Sequence, residues 1–315
     1  MRVFKAKNDV IRAGIELSES GLIARTWGNV SSRTSDNEFV ITASGRNYLT
    51  LTPEEVIQVK IDDLSYDGKI KPSSEKKVHR EIYRLKEDAG FVIHTHQSNA
   101  SAVSAMGLKE VRFKKEYPGI GNRVLCAGYG LPGTKTLCKN TAEAVEMSTG
   151  KAVIMSNHGA VCFGRDYEEA FEVTRALEEA CGDYLNSLGV DSWQESKDNK
   201  QLWNDDPVIM KYMEIRDELR PYLDDFAQLV GPKLNVVEYD QDLIDEALSE
   251  GIPLLVRGKG ALCAAENEDD IEAVSIVIEK NCRAALAAIG CKPIKKWECH
   301  LMRQVYLRKY SKLKK

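Results

Sequence analysis

A chain of 315 residues, 43% hydrophobic and 29% charged, carries enough apolar material for one large domain or two smaller ones. A net charge of −4 gives no basis for binding nucleic acid or an anionic membrane, and no apolar stretch is long enough to cross a bilayer. The N-terminal residues 1–9 lack the apolar centre of a signal peptide. The eight cysteines form no CxxC pair and no disulfide-type cluster, so the expectation is a cytoplasmic protein with reduced thiols.

In chain order, residues 4–20 have helical periodicity, with Val10, Ile11, Ala13, Gly14 and Leu17 on one face and Gly21 placed to end the helix. Residues 28–33 lead into a strand, and residues 38–42 read as its hairpin partner. Ala43-Ser44-Gly45-Arg46 is a turn of small residues. Thr52-Pro53-Glu54-Glu55 predicts a helix start, with Thr as cap and Pro at the first position. Residues 74–85 read as a helix, 90–93 as a buried strand, 140–148 as a helix, 151–156 as a strand and 166–188 as a long amphipathic helix. The polar residues 191–206 read as a linker.

The two apolar strands end in histidine. Gly90-Phe91-Val92-Ile93 runs into His94-Thr95-His96, and Ala152-Val153-Ile154-Met155 is followed by His158 and Gly159. Side chains two apart on a strand share a face, so both imidazoles can reach one point. Strand ends are also where α/β proteins place their chemistry. A carboxylate, Glu75, lies upstream in Pro72-Ser73-Ser74-Glu75. Three imidazoles and one displaceable carboxylate suit a catalytic zinc. The other reading is a set of satisfied core histidines, which requires partners for every ring nitrogen. The remaining histidines, His79 and His300, stand out less, although His79 follows Glu75 by four residues on a predicted helix. Cys291, Cys299 and His300 imitate part of a zinc site, but no fourth ligand has suitable spacing.

The chain also partly repeats itself. Aligned without gaps at an offset of 101, residues 150–185 and 251–286 share eight identities. Gly150, Gly159, Ala160, Cys162, Val173, Glu178, Cys181 and Leu185 match Gly251, Gly260, Ala261, Cys263, Val274, Glu279, Cys282 and Leu286. Chance resemblance of two strand–helix units is one explanation. The paired cysteines and Gly-Ala turns favour duplication. Lys259 stands where His158 stands in the first copy, so the second copy is expected to bind no metal of the same kind.

Five segments in this order and separation resemble the class II aldolase/adducin family, the L-fuculose-phosphate aldolase group. They are Gly28-Asn29-Val30-Ser31, Thr42-Ala43-Ser44-Gly45, Ser73-Ser74-Glu75, His94-Thr95-His96 and Asn157-His158-Gly159. The resemblance covers residues 4–190. It implies a three-layer α/β/α sandwich with a mostly antiparallel central sheet, to which a smaller α/β C-terminal module is added. The expected domains are a catalytic unit over 1–195 and a metal-free degenerate repeat over 206–315 with a structural or oligomerisation role.

The resemblance further implies one Zn2+ per chain held by His94, His96, His158 and Glu75. Gly28, Asn29, Ser44, Gly45, Ser73 and Ser74 are expected to bind a substrate phosphate. The implied reaction is cleavage of a phosphorylated, fuculose-1-phosphate-like ketose to dihydroxyacetone phosphate and an aldehyde through a metal-stabilised enediolate, with Glu75 moving protons. A homotetramer is also implied. The family's proton-donor tyrosine, supplied by a neighbouring subunit, falls here in Arg112-Phe113-Lys114-Lys115-Glu116-Tyr117, where the matching position is a lysine and Tyr117 is close by. A sugar-phosphate 4-epimerase or dehydratase on the same scaffold is the alternative enzyme. An adducin-like binding protein is the non-catalytic one, which the three metal histidines argue against.

Overall fold

A computed structural model describes residues 2–23, 27–192, 202–265 and 268–310. Most of the predicted linker, residues 193–201, lies outside the described residues. The N-terminal part runs α1 (Arg2–Glu19), β1 (Gly28–Ser35), β2 (Glu38–Thr42), β3 (Val56–Lys60), α2 (Lys76–Leu85), β4 (Phe91–Thr95) and α3 (Ser98–Ser104). It continues with β5 (Glu110–Tyr117), β6 (Gly121–Ala127), α4 (Lys135–Met147), β7 (Ala152–Met155), β8 (Gly159–Gly164) and α5 (Tyr167–Ser187).

These strands form one sheet in the order β3-β2-β1-β4-β8-β7-β6-β5. Every pairing is antiparallel except β6 with β7. α1, α3 and α5 cover one face, and α2 and α4 cover the other. The chain is therefore the mixed α/β sandwich expected of it. β4 shows how the sequence dictates the layers. Phe91 and Ile93 pack with α1 and α5 residues, while Val92 packs with Val78 and Ile82 of α2. A strand buried on both faces must be apolar at every position.

One predicted element is corrected. Thr52 caps only a single 3-10 turn, Pro53–Glu55, and the chain then enters β3. Val56, Ile57 and Val59 are β-branched and all buried, and that pattern overrides the helix-start signal. The β5–β6 hairpin is not among the predicted elements: β5 alternates buried Val111 and Phe113 with exposed Arg112 and Lys114, but the alternation is brief and breaks at Lys115 and Glu116.

The C-terminal part runs β9 (Trp203–Asn204), α6 (Pro207–Ile215), β10 (Glu218–Leu219), α7 (Asp224–Leu229), β11 (Leu234–Val237), α8 (Gln241–Glu250), β12 (Leu254–Val256), β13 (Gly260–Leu262), α9 (Glu268–Ala287) and α10 (Lys296–Val305). Its sheet has the order β10-β11-β12-β13-β9. β5-β6-β7-β8-β4 shows the same order, and all four pairings have the same sense in both sheets. The helices fall at matching places, α6 like α3, α8 like α4 and α9 like α5. α7 has no counterpart, because β5 and β6 are joined by a short turn. Lys259, in the β12–β13 turn, lies over the Tyr239 ring at 4.6 Å. No helix among the described residues is long and apolar enough to cross a membrane.

The two parts share a core. Leu223, Ala284, Ala287 and Ala288 belong to the same buried cluster as Val103, Leu177 and Leu185.

Candidate metal centre

β4 occupies the middle of the large sheet, and its C-terminal end delivers His94 and, one residue past the strand, His96. Register fixes the neighbours. Asn29 of β1 lies opposite His94 on one side, and Val161 of β8 on the other. His158 sits in the turn between β7 and β8, after Asn157 in the left-handed region at φ 58°. Two glycines allow strands to close around the histidines. A Cβ at Gly28 would stand 2.6 Å from the His94 carbonyl oxygen, and one at Gly159 would stand 2.3 Å from that of Thr95. Glu75 enters from the residue preceding α2.

The ligand atoms converge. His94 Nε2 lies 3.2 Å from His96 Nε2 and 3.1 Å from His158 Nε2. Glu75 places Oε2 3.1 Å from His94 Nε2 and Oε1 3.3 Å from His158 Nε2. All four side chains are buried. His94 Nδ1–H donates to the Ala160 carbonyl at 2.8 Å, and His158 Nδ1–H donates to Asp224. Both rings therefore turn an Nε2 lone pair toward the other. Without metal a proton on His158 can bridge them, and a metal ion bound by both Nε2 atoms would take that proton's place. Nitrogens 2.0–2.1 Å from a tetrahedral ion stand roughly 3.3–3.4 Å apart, close to these spacings. The residues fit a metal, and His94, His96 and His158 form the group able to hold one among the described residues.

Electrostatics agree. Burial disfavours a charge on Glu75, but His94 and His158 hold its carboxyl well below the usual range. Burial likewise opposes a charged His158, yet Asp224 and Glu75 keep its pKa well above the ordinary histidine value. His96 is pushed down to about 4 by burial and by His158. The two carboxylates thus favour positive charge at the centre of the cluster.

The predicted phosphate residues gather beside it. Gly28 pairs with Thr95, and Tyr48 donates its hydroxyl to the Gly28 carbonyl at 2.8 Å. A bridge between Ala43 and Pro72 sets the turn at Ser44 and Gly45 next to Ser73 and Ser74. The backbone N–H groups of Ser44 and Ser73 are already bonded, to Lys71 and Thr42 carbonyls at 3.0 Å. Ser73 Oγ accepts from the Glu75 N–H at 3.2 Å. Asn29 directs its Nδ2–H to Glu75 at 3.3 Å. Tyr117 is not brought to the cluster. It ends β5 at the sheet edge, and its hydroxyl donates to Asp183 at 2.6 Å.

Several residues at the site were missed from sequence. His79 donates through Nε2 to Asn29 Oδ1, and its Nδ1 lies 2.6 Å from Ser31 Oγ, which is 2.7 Å from Tyr83 OH. Burial pushes His79 down to about 3, so the ring is neutral. A signal was present: Asn29 and Ser31 alternate on one face of a strand, and Glu75, His79 and Tyr83 recur every four residues. The C-terminal part contributes Asp224, Asp225 and Lys280. Lys280 Nζ pairs with Asp225 and donates to the His96 carbonyl at 3.0 Å.

Residues 8–185 match the family described as Class II Aldolase and Adducin N-terminal domain. The chain belongs to this family. The chain is similar to 5-deoxy-D-ribulose 1-phosphate aldolase of Bacillus thuringiensis serovar kurstaki, 31% identical over 56% of this chain and 83% of that protein. It is also similar to L-fuculose phosphate aldolase of Escherichia coli, 29% identical over 59% of this chain and 85% of that protein. A solved structure of L-fuculose 1-phosphate aldolase superposes with a TM-score of 0.55 at 26% identity, covering 62% of this chain and 91% of that one. Relatives in this family are named as aldolases.

Proposed function

We propose that the protein is a zinc-dependent aldolase that cleaves a phosphorylated ketose to dihydroxyacetone phosphate and an aldehyde. The carrying observation is the convergence of three histidine Nε2 atoms, with the two oxygens of Glu75 set against those of His94 and His158. Bound zinc supplies a Lewis acid for the negative charge that develops on substrate oxygens as the carbon–carbon bond breaks. Glu75 is the proton carrier, being buried beside the cluster and held by Asn29. Substrate phosphate is received by Gly28, Gly45, Ser44, Ser73 and Ser74, with the serine hydroxyls as donors because two of the nearby backbone N–H groups are occupied. Asn29 serves Glu75 in this reading more than phosphate.

The reading includes a cytoplasmic homo-oligomer, a homotetramer by family resemblance, in which Tyr117 could serve only a neighbouring subunit's site. All eight cysteines are free thiols, which suits a reducing compartment. Residues 206–315 are read as a degenerate copy of the second half of the aldolase fold, on the strength of the shared strand order.

The test combines elemental analysis with a panel of ketose 1-phosphates and 5-phosphates. About one zinc per chain and release of dihydroxyacetone phosphate are expected. Zinc-loaded protein that only interconverts or dehydrates the sugars would replace this reading with the epimerase or dehydratase one.

A further inference from the structure

We infer that Asp224, carried by the C-terminal part, is the carboxylate that orients the histidines of the metal centre. The inference rests on the metal reading above and deepens it. Asp224 accepts from His158 Nδ1–H. This contact fixes the tautomer that leaves Nε2 free to bind a metal and raises its basicity. Its second oxygen, Oδ1, is buried without a partner, and so is His96 Nδ1. These two atoms face each other at 3.8 Å. One carboxylate thus stands behind two of the three histidines, and a shift of about 1 Å closes the second hydrogen bond.

The placement of Asp224 is built, not incidental. Its N–H donates to the Asn157 carbonyl at 3.0 Å, and Asn157 Nδ2 donates to the Tyr222 carbonyl at 2.8 Å. The residue preceding His158 is therefore tied twice to the segment carrying Asp224. From the other side, Asn281 Oδ1 accepts the N–H groups of Tyr222 and Leu223 at 2.8 and 3.1 Å, and its Nδ2 donates to the Arg220 carbonyl at 2.9 Å. Asp225 Oδ2 lies equally near His96 Nδ1, at 3.7 Å, but it is already engaged by Lys280 Nζ, which leaves Asp224 Oδ1 as the unpartnered acceptor. α7, which begins with these two aspartates, is the helix without a counterpart in the first half. A buried carboxylate whose one side-chain donor is a histidine is costly unless positive charge sits beyond that histidine. Asp224 is thus a positioning residue, and the C-terminal part completes the metal site.

The experiment measures zinc affinity of the full chain by competition with a chromogenic chelator, for the parent, Asp224→Asn and Asp224→Glu. Melting of each metal-free protein is recorded alongside. Asn is expected to weaken zinc about 10- to 100-fold, and Glu to restore part of the loss. A second measurement needs no variant. In the zinc-loaded parent with 15N-labelled histidine, His158 should show a protonated Nδ1 with a downfield proton. A parent that binds zinc tightly, with Asp224→Asn folded and equal to it within threefold, overturns the role of Asp224 alone. A zinc-loaded His158 without an Nδ1 proton does the same, even if the variants do not fold. A parent that binds no zinc overturns the metal reading together with this inference.

Discussion

Asn29 donates Nδ2–H to Glu75 at 3.3 Å while its Oδ1 accepts from His79. The direction of this pair is set from behind. Neutral His79 has one proton, on Nε2, so its Nδ1 accepts from Ser31, whose oxygen in turn accepts from Tyr83. Every donor in the row points toward Glu75. A reversed amide would turn an oxygen toward the carboxylate.

His79→Leu removes the donor and leaves Asn29 Oδ1 and the Ser31 hydroxyl without their partner. The expected cost is about 1–3 kcal/mol of stability, measured by urea unfolding. Turnover should fall while KM stays near the parent value, because Glu75 and not the phosphate turns loses its support. An unchanged kcat in a folded variant would assign the row to stability alone.

Glu75→Gln keeps the size and removes the base. Turnover should fall by roughly two to four orders of magnitude with the fold intact. Zinc must be in excess, since Glu75 also faces the ligand nitrogens. Solvent-proton exchange into dihydroxyacetone phosphate isolates the proton step, and exchange at the parent rate would clear Glu75 of the role.

Glu178 gives a pH prediction. It accepts the N–H groups of Asn99 and Ala100 at 2.7 and 3.1 Å, capping α3 just after His96. Burial raises its pKa to about 7 from 4.5, against those two N–H groups and the cations Arg283 and Lys280. The folded state therefore binds this proton more tightly than the unfolded chain. Its contribution to stability is full below 4.5 and is lost as pH rises toward 7. Glu178→Gln lacks that slope, so its stability relative to the parent should improve between pH 5 and 7 by at most about 1.4 kcal/mol per pH unit. Urea unfolding of both proteins across this range is the check, and a constant difference would contradict the assignment.

A chain ending at Ser192 should not survive as an active unit. It would expose the cluster face that Leu223, Ala284, Ala287 and Ala288 cover, and it would lose Asp224. Expression in inclusion bodies, or a broad low-temperature melt, is expected. A soluble, fully active truncated protein would show that the shared core is dispensable.

The histidine strands, Glu75 and the phosphate turns were legible because each carries a local signature, a strand-end His-x-His or a glycine where chains touch. β3 was not, because a good cap and a proline can begin a single turn as well as a helix. Asp224 could not be read at all. Asp224-Asp225 between Leu223 and Phe226 looks like an ordinary helix start, and its meaning lies in a histidine 66 positions away. Tyr117 shows the reverse case, a position suggested by likeness whose hydroxyl is engaged elsewhere in this chain.

α9 brings three polar anchors into the seam between the two sheets. Lys280 reaches the His96 carbonyl, Asn281 grips residues 220–223, and Arg283, a little further on, donates to the Asp191 carbonyl at 2.9 Å. Much of the apolar contact that this segment makes in the seam comes from Ala284, Ala287 and Ala288, whose short side chains do little to fix its register. A slip of one helical turn, about 5.4 Å, would strand a buried ammonium, at a cost of several kcal/mol. The helix is therefore a keyed joint, in which alanines supply adhesion and Lys280, Asn281 and Arg283 admit one seating. Only in that seating does Asp224, from the C-terminal part, stand behind a histidine of the N-terminal part.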